Sequence, residues 1–546
     1  MRILFRRSIG CILAVATFYY AKPATPALEY TFARKDSTSL LITLSFTGIP
    51  EDTTRLILPN EWAGQQQLYS AISGLRALSQ NTVVLPTDMP WQFIVLHKPN
   101  ARVTVSYLLS KDWKGLLVYP KYFRPVIQQQ YFYFEGYSGL VCPDINDTIL
   151  RRCKITYNGF ADSIFKGNSF FAGVSSKKFS ASLANLRNAI YCAGNYRFKK
   201  IKIHNNAIIV AVQGNFSFKD DDVYQSVVNI VQYERDFWND NAYPYFFTSL
   251  IALQDQYNSG GTAHYNSFGM FQSEGMPFSQ NLAWLIAHEY FHTWLGQHLK
   301  MPAPDEIYKW FSEGFTDYYA YKILYRSGLT SQKDFITKIN QVIQSYYLSS
   351  YFNTPNTGII GKYWSDGNLK QLSYQRGLII AFLLENSINK KGASLDDLLK
   401  TLYTQSAPAN LFSKQAFDEM VQQFAGQSTT AIIDSVNNGR NDALTTSFSG
   451  FTSYHTQLIT IDKIFDIGFD LTQSTQTHKI TGIVKGSNAE KAGLKEGEEF
   501  TGNVSIWNNN TEKPAKIQVV VDGKKHWIEY IPAKEANIKV PQIVIE

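Results

Sequence analysis

The stretch Asn281–Leu299, NLAWLIAHEYFHTWLGQHL, is mostly apolar yet carries His288, Glu289 and His292 in the spacing H-E-x-x-H. Residues four apart on a helix share a face, about one turn apart. Leu282, Leu285, Ile286 and Leu295 fall on the remaining faces, which predicts an interior helix with one polar seam. Two imidazoles on that seam can converge on a single Zn²⁺ at about 2.0–2.1 Å. Glu289, next to the first of them, can then take a proton from a water on the metal. One zinc ion per chain is the expected cofactor.

Two residues compete for the third ligand position. His298 stands where the pattern H-E-x-x-H-x-x-G-x-x-H wants its last histidine, but Leu295 occupies the glycine position and Gly296 comes one place late. Glu313 lies in KWFSEGFTDYY, residues 309–319, beyond a loop containing Pro302 and Pro304. A second helix returning antiparallel there aims Glu313 at the metal, and Asp317, one turn on, can accept the free N–H of a ligating histidine. This reading favours Glu313 and leaves His298 as a polar residue near the helix end.

HEYFHTW followed by WFSEGFTDYY resembles the glycyl-aminopeptidase family of zinc metallopeptidases, thermolysin-like gluzincins with a C-terminal PDZ domain. The resemblance extends to other segments. Residues 260–267, GGTAHYNS, are similar to the family's GGLEH-x-NS motif in Gly260, Gly261, His264, Asn266 and Ser267, with Ala263 in the place of the glutamate. Tyr374 in SYQRG is similar to the tyrosine of Y-x-K-G-A, with Arg376 for lysine. The resemblance implies an aminopeptidase preferring small N-terminal residues. In it His288, His292 and Glu313 are zinc ligands, Glu289 and Tyr374 are catalytic, and Gly260, Gly261 and His264 bind substrate. The tyrosine hydroxyl is suited to stabilising an oxyanion. In related aminopeptidases an acidic side chain near Ala263 holds the substrate's α-amine. A buried ammonium without a carboxylate is costly, so an endopeptidase or an altered specificity stands as the alternative. An inactive peptide-binding protein is the reading from another class.

The 546 residues carry a net charge of +7, with 18% charged and 14% aromatic side chains. That length suggests several domains, and the thinly spread charge lacks the dense basic patches of a nucleic-acid binder. The fold expected is multidomain. An N-terminal β-sandwich-like domain spans 28–160, and a mixed α/β to mainly α thermolysin-like zinc peptidase domain spans 161–445. A C-terminal PDZ-like β domain spans 446–546. Short alternating runs such as LLITLSF, residues 40–46, carry the first of these. A helix is predicted over 221–239, a strand over 243–253, a core helix over 413–425 and a polar connector over 427–446. Asp466–Leu471 with Gly486–Glu498 resembles a PDZ domain, whose φ-G-φ loop and added strand take a C-terminal peptide.

Met1-Arg2-Ile3-Leu4-Phe5-Arg6-Arg7 precedes an apolar run from Ile9 to Ala21. A basic n-region and a run this short suit a signal peptide over 1–27 rather than a membrane span, and predict an exported protein, periplasmic or secreted. Export permits disulfides. Cys142 and Cys153 are close enough in sequence to close a short loop, leaving Cys192 over; three free thiols are the other option.

Overall fold

A computed structural model describes residues 28–545 except 243–244, 256, 407–408, 442–443, 445–447, 449–453 and 508–509. The signal segment, the start of the strand expected from 243 and the expected boundary at 446 fall outside the described residues. No described helix is long and apolar enough to cross a membrane. Two compact units emerge, one of residues 28–114 with 121–195, the other of 115–120 with the chain from 196 onward.

The first unit is β-rich and holds three sheets around one core. Its six-stranded sheet runs in the order Ser176–Ala181, Arg151–Asn158, Leu28–Arg34, Ser39–Thr47, Arg102–Ser110, Ile72–Ala77. Along Ser39–Thr47 buried and half-buried residues alternate after Leu40, as expected for a strand with one face on a core. Phe32 and Val105 from this sheet meet Leu56 and Val95 from a four-stranded sheet, and Phe134 and Tyr191 from a five-stranded one. The expected boundary at 160 is corrected to about 195. Ser176–Ala181 pairs with Arg151–Asn158, and Phe165–Asn168 reaches Tyr131–Glu135 through Ile190–Gly194, so residues 161–195 complete these sheets.

No disulfide joins Cys142 and Cys153; all three described cysteines are buried free thiols. The two lie on strands of different sheets. Cys142 Sγ is 3.5 Å from the Tyr30 hydroxyl, and the Cys153 thiol donates to the Ala181 carbonyl at 3.6 Å. Burial pushes the Cys153 thiol up to about 11.

The second unit opens with a five-stranded sheet: β1 (Arg197–Ile203), β2 (Asn206–Gln213), β3 (Tyr245–Leu253), β4 (Ser259–His264) and β5 (Ser267–Ser273), in the order β1-β2-β3-β5-β4. β2, β3 and β5 are parallel neighbours, while β4 folds back antiparallel on β5 as the edge. Helix α1 (Asp220–Trp238) connects β2 to β3 and buries Val223, Val227, Ile230 and Val231 with Val210, Leu250 and Met270 of the sheet. Then come α2 (Gln280–Phe291), α3 (Thr316–Arg326), α4 (Gln332–Tyr347), α5 (Gly367–Asn389), α6 (Leu395–Ser406), α7 (Lys414–Phe424) and α8 (Gln427–Asn437). α8 stands where the polar connector was expected. Thr429, Ile433 and Val436 recur at helical spacing and are buried, which is enough to dock an otherwise polar helix.

The C-terminal segment, expected as a PDZ-like domain, holds two small sheets. Strands β6 (His455–Phe465) and β10 (Ala533–Val544) pair antiparallel, and β7 (Glu499–Ser505), β8 (Ala515–Val521) and β9 (Lys524–Tyr530) form a separate sheet. After Gly468 comes helix α9 (Leu471–Thr477), which Asp470 caps by accepting from the Gln473 amide at 2.9 Å. The Gly468 amide donates to Asp466 Oδ1 at 2.8 Å. Asn340 of α4 bonds both the amide and the carbonyl of Ile543, each at 2.8 Å, and so ties β10 to the helices.

Within the helical part, Lys322 of α3 is 4% exposed and donates to Glu385 Oε2 and to Asp396 Oδ1. Tyr319 and Arg326 donate to the same Asp396 carboxylate. Burial pushes Asp396 up, but Lys322 and Arg326 outweigh it and hold the carboxyl at about 2, below its ordinary 3.8. A depressed carboxyl stabilises the fold above its unfolded value, and that contribution is lost as pH falls through its folded one. Acidification from pH 4 to 2 should therefore cost about 2 kcal/mol of unfolding free energy through this group. Urea unfolding across that range should show a shallower pH slope in Asp396→Asn; an unchanged slope would mean the network carries no such linkage.

Candidate metal centre

Helix α2 places the H-E-x-x-H residues, but it ends sooner than the apolar pattern predicts. The α-helix stops at Phe291, with His292 as its C-cap in right-handed helical geometry (φ −60°, ψ −16°). The chain then turns at Gly296, where φ is +103° and the amide donates to the Leu299 carbonyl at 3.0 Å. Residues 292–299 are thus a tight turn. His292 still projects from the same face as His288, and their Nε2 atoms lie 3.1 Å apart.

Both far ring nitrogens are engaged. His288 Nδ1 is 2.7 Å from Asp317 Oδ1, and His292 Nδ1 is 2.9 Å from the Leu295 carbonyl oxygen. These partners hold Nδ1 of each ring and turn Nε2 inward, toward Glu313.

Glu313 arrives on a π-helical turn, Trp310–Phe315, that runs directly into α3. π-turns are rare and concentrate at functional sites. Its Oε2 is 3.6 Å from His288 Nε2 and 3.4 Å from His292 Nε2, and its Oε1 is 3.6 Å from Lys309 Nζ. The donor atoms of His288, His292 and Glu313 all lie within 4.8 Å of one another. Two ligands about 2.1 Å from one tetrahedral ion are about 3.4 Å apart. The observed spacings of 3.1, 3.4 and 3.6 Å bracket that value, so the three residues fit a zinc ion. His298 turns elsewhere, with Nδ1 3.1 Å from Asn410 Oδ1.

What brings Glu313 to Tyr374 is a contact between backbones. A Cβ on Gly377 of α5 would lie 1.6 Å from the Trp310 carbonyl oxygen, and one on Gly314 would lie 2.4 Å from Gly377 Cα. Gly314 follows Glu313, and Gly377 is three residues beyond Tyr374. The crossing therefore sets the Tyr374 ring parallel to that of His288, at 6.0 Å between centroids and 12° between planes. Arg376, buried beside Gly377, is satisfied by neutral acceptors: the Tyr346 hydroxyl at 3.1 Å, the Thr354 carbonyl at 2.9 Å and Asn356 Oδ1. Both glycines stand in stretches that carry the family resemblance, Gly377 in SYQRG and Gly314 in WFSEGF, but nothing in the spacing says that they meet.

The charges follow from burial and proximity. Burial pulls the His288 imidazole down, but its bonds to Asp317 and Glu313 outweigh this and hold it at about 10. Burial pushes the Glu313 carboxyl up, yet His292, His288 and Lys309 hold it well below the usual carboxylate range. Burial and the neighbouring Glu313 carboxylate push the Tyr374 hydroxyl well up, so it keeps its proton at neutral pH.

On the other wall, β4 is the sheet edge. A Cβ on Gly261 would lie 3.3 Å from Glu289 Cγ and 3.5 Å from its Oε1, so the missing side chain there makes room for Glu289. Gly260 pairs with Phe271 one step along the same strand. His264 ends β4, 1% exposed and paired in register with Ser267. Lys309 and Tyr363 line the centre without having been singled out in the sequence. Lys309 stands one helical turn before Glu313, and its Nζ lies 5.8 Å from the centroid of the buried Tyr363 ring.

Known proteins bear on this arrangement. Residues 281–354 match the family model for M61 glycyl aminopeptidases. The resemblance to the glycyl-aminopeptidase family thus holds across both halves of the centre, the HEYFH helix and the SEG turn. No curated protein matches the chain. A crystal structure of an aminopeptidase N family protein from Idiomarina loihiensis superimposes with a TM-score of 0.71 at 14% identity, covering 95% of this chain and 98% of that one. A Deinococcus radiodurans M1 zinc metallopeptidase mutant bound to a Tyr-Ser-Ala substrate aligns with a TM-score of 0.50 at 13% identity, covering 76% and 93%. These likenesses show a shared fold.

Glu313→Ala should abolish zinc retention through dialysis while His298→Ala keeps it, read by metal analysis; the reverse would place the third ligand on the wrong residue. Asp317→Ala should weaken zinc about tenfold to a hundredfold in chelator competition. Because His288 is protonated up to about 10, zinc uptake must release its proton, and affinity should climb as pH is raised from 6 to 9. Gly377→Ala should destabilise the unit by about 3 kcal/mol or more and lower zinc affinity as well, since the Glu313 turn must move to admit the methyl.

Proposed function

We propose that this chain is a zinc-dependent peptidase of the glycyl-aminopeptidase type. The observation that carries this is the convergence of His288, His292 and Glu313 with Glu289 beside the edge strand and Tyr374 stacked above. One zinc ion held by the three ligands would polarise the scissile carbonyl and make water a better nucleophile. Glu289 takes the proton of the attacking water and later passes it to the leaving amine. The neutral Tyr374 hydroxyl donates to the oxygen on which negative charge develops, and is worth most in the transition state. Substrate backbone adds to the open edge of β4, where Gly260 and Gly261 allow close approach and His264 anchors the strand end. Asp317 orients His288 and raises its basicity as a ligand.

The same strand favours a second reading of specificity. Ser259–His264 reads SGGTAH and bears no acidic side chain. An enzyme that captures a free α-amine at this strand needs a carboxylate there; cleavage of internal bonds or of blocked N-termini does not. The C-terminal segment is proposed as a structural cap on α4 through Asn340. The basic, apolar start of the chain supports export.

Hydrolysis of unstructured peptides should be lost on chelation, restored by zinc and abolished in Glu289→Gln with zinc content unchanged. Persistence of activity in that variant would remove the mechanism. Cleaving free and N-acetylated forms of one peptide then separates the two specificities, because an aminopeptidase must spare the acetylated one.

A further inference from the structure

The rim of the centre carries unspent positive charge. Lys370 precedes Tyr374 by one turn of α5, so both share a face. Its Nζ lies 5.2 Å from the Trp364 ring centroid and 5.9 Å from that of Tyr363. Lys309 Nζ lies 5.8 Å from the same Tyr363 ring. Tyr363 is 1% exposed, whereas Trp364 is 62% exposed. One aromatic platform therefore links two ammonium groups to the reacting centre and opens to solvent at Trp364.

The carboxylates near this rim are engaged elsewhere: Glu306 accepts from the Gly361 amide, and Asp366 caps α5 and accepts from the Tyr351 hydroxyl. Glu313 is turned to the imidazoles with Oε2 and meets Lys309 only at 3.6 Å. Asp305, 3.4 Å from Lys309, has a side chain 73% exposed to solvent, where pairing is weak. Lys370 has no ion pair among the described residues. The facing strand β4 contributes no acid. An approaching ammonium meets like charge from Lys309 and Lys370, while a carboxylate meets two cations and an aromatic face that orders their stems.

We infer that Lys370 and Lys309 make this site selective for peptides carrying a carboxylate beside the scissile bond. This rests on the peptidase reading and adds to it the charge of the preferred substrate: an acidic residue flanking the cleaved bond, with Lys or Arg disfavoured there.

The test pairs N-acetylated peptides that differ only by Glu against Gln on either side of the scissile bond. Calorimetry on zinc-loaded Glu289→Gln protein reads binding, and kcat/KM on the active enzyme reads turnover. The Glu member should bind about fivefold tighter in low salt, with the advantage shrinking at higher ionic strength and appearing in KM rather than kcat. Adding Lys370→Met should at least halve that ratio, and Lys370→Arg should keep it. Equal binding of Glu and Gln peptides, or a full preference surviving Lys370→Met in protein of unchanged melting temperature, overturns the inference. Failure of the peptidase reading looks different: acidic peptides would still bind in preference while none is cleaved.

Discussion

Two glycines in van der Waals contact hold this centre together. A carboxylate and two imidazoles gathered within 4.8 Å need a scaffold that gives them no other place. The crossing of the Trp310–Phe315 turn over α5 at Gly314 and Gly377 supplies it. The contact leaves no room for either element to slide, since any side chain at the crossing would strike backbone. From that point Glu313 reaches one way to the histidines of α2, and Tyr374 the other way over the same imidazole. The polar fittings around it, Asp317 on His288 and the Leu295 carbonyl on His292, then choose which ring nitrogens face inward.

A second layer of charge sits behind the first. Lys322, Glu385, Asp396 and Arg326 join α3, α5 and α6 on the far side of the helix that bears Asp317. Buried ion pairs rarely add net stability, but they define register, because a shifted helix would strand a charge in the core. α3 is thus fixed at its start by the glycine crossing and along its length by this network. Asp317 has little freedom to leave His288.

Much of the centre was legible because its chemistry is local in sequence. The H-E-x-x-H spacing implies a shared face whatever the fold, and Glu313 with Asp317 four residues on reads as a second such face. The strand Ser39–Thr47 and helix α1 follow from periodicity of 2 and 3.6. What escaped was non-local. Cys142 and Cys153 are near in sequence but belong to different sheets. Residues 161–195 look like the start of something new and instead finish the first unit's sheets. The helix at Leu471–Thr477 is capped by Asp470, inside the stretch whose resemblance was to a PDZ domain. Gly261's fit against Glu289 and the Lys309–Tyr363 pairing depend on elements that only the fold brings face to face.

The π-turn makes the centre sensitive to chain length as well as to residue identity. Such a turn spends one more residue per bond than an α-turn, so Trp310–Phe315 acts as an insertion absorbed without a loop. Removing any single residue from it would let the segment wind as ordinary helix and improve its hydrogen-bond geometry. It would also rotate whatever lies beyond by about 100° relative to what lies before, parting Glu313 from Asp317's side of the imidazole. A deletion here is therefore no milder than a substitution at Glu313 or Gly314, and a homologous chain one residue shorter across this turn would not bring a carboxylate to the two imidazoles.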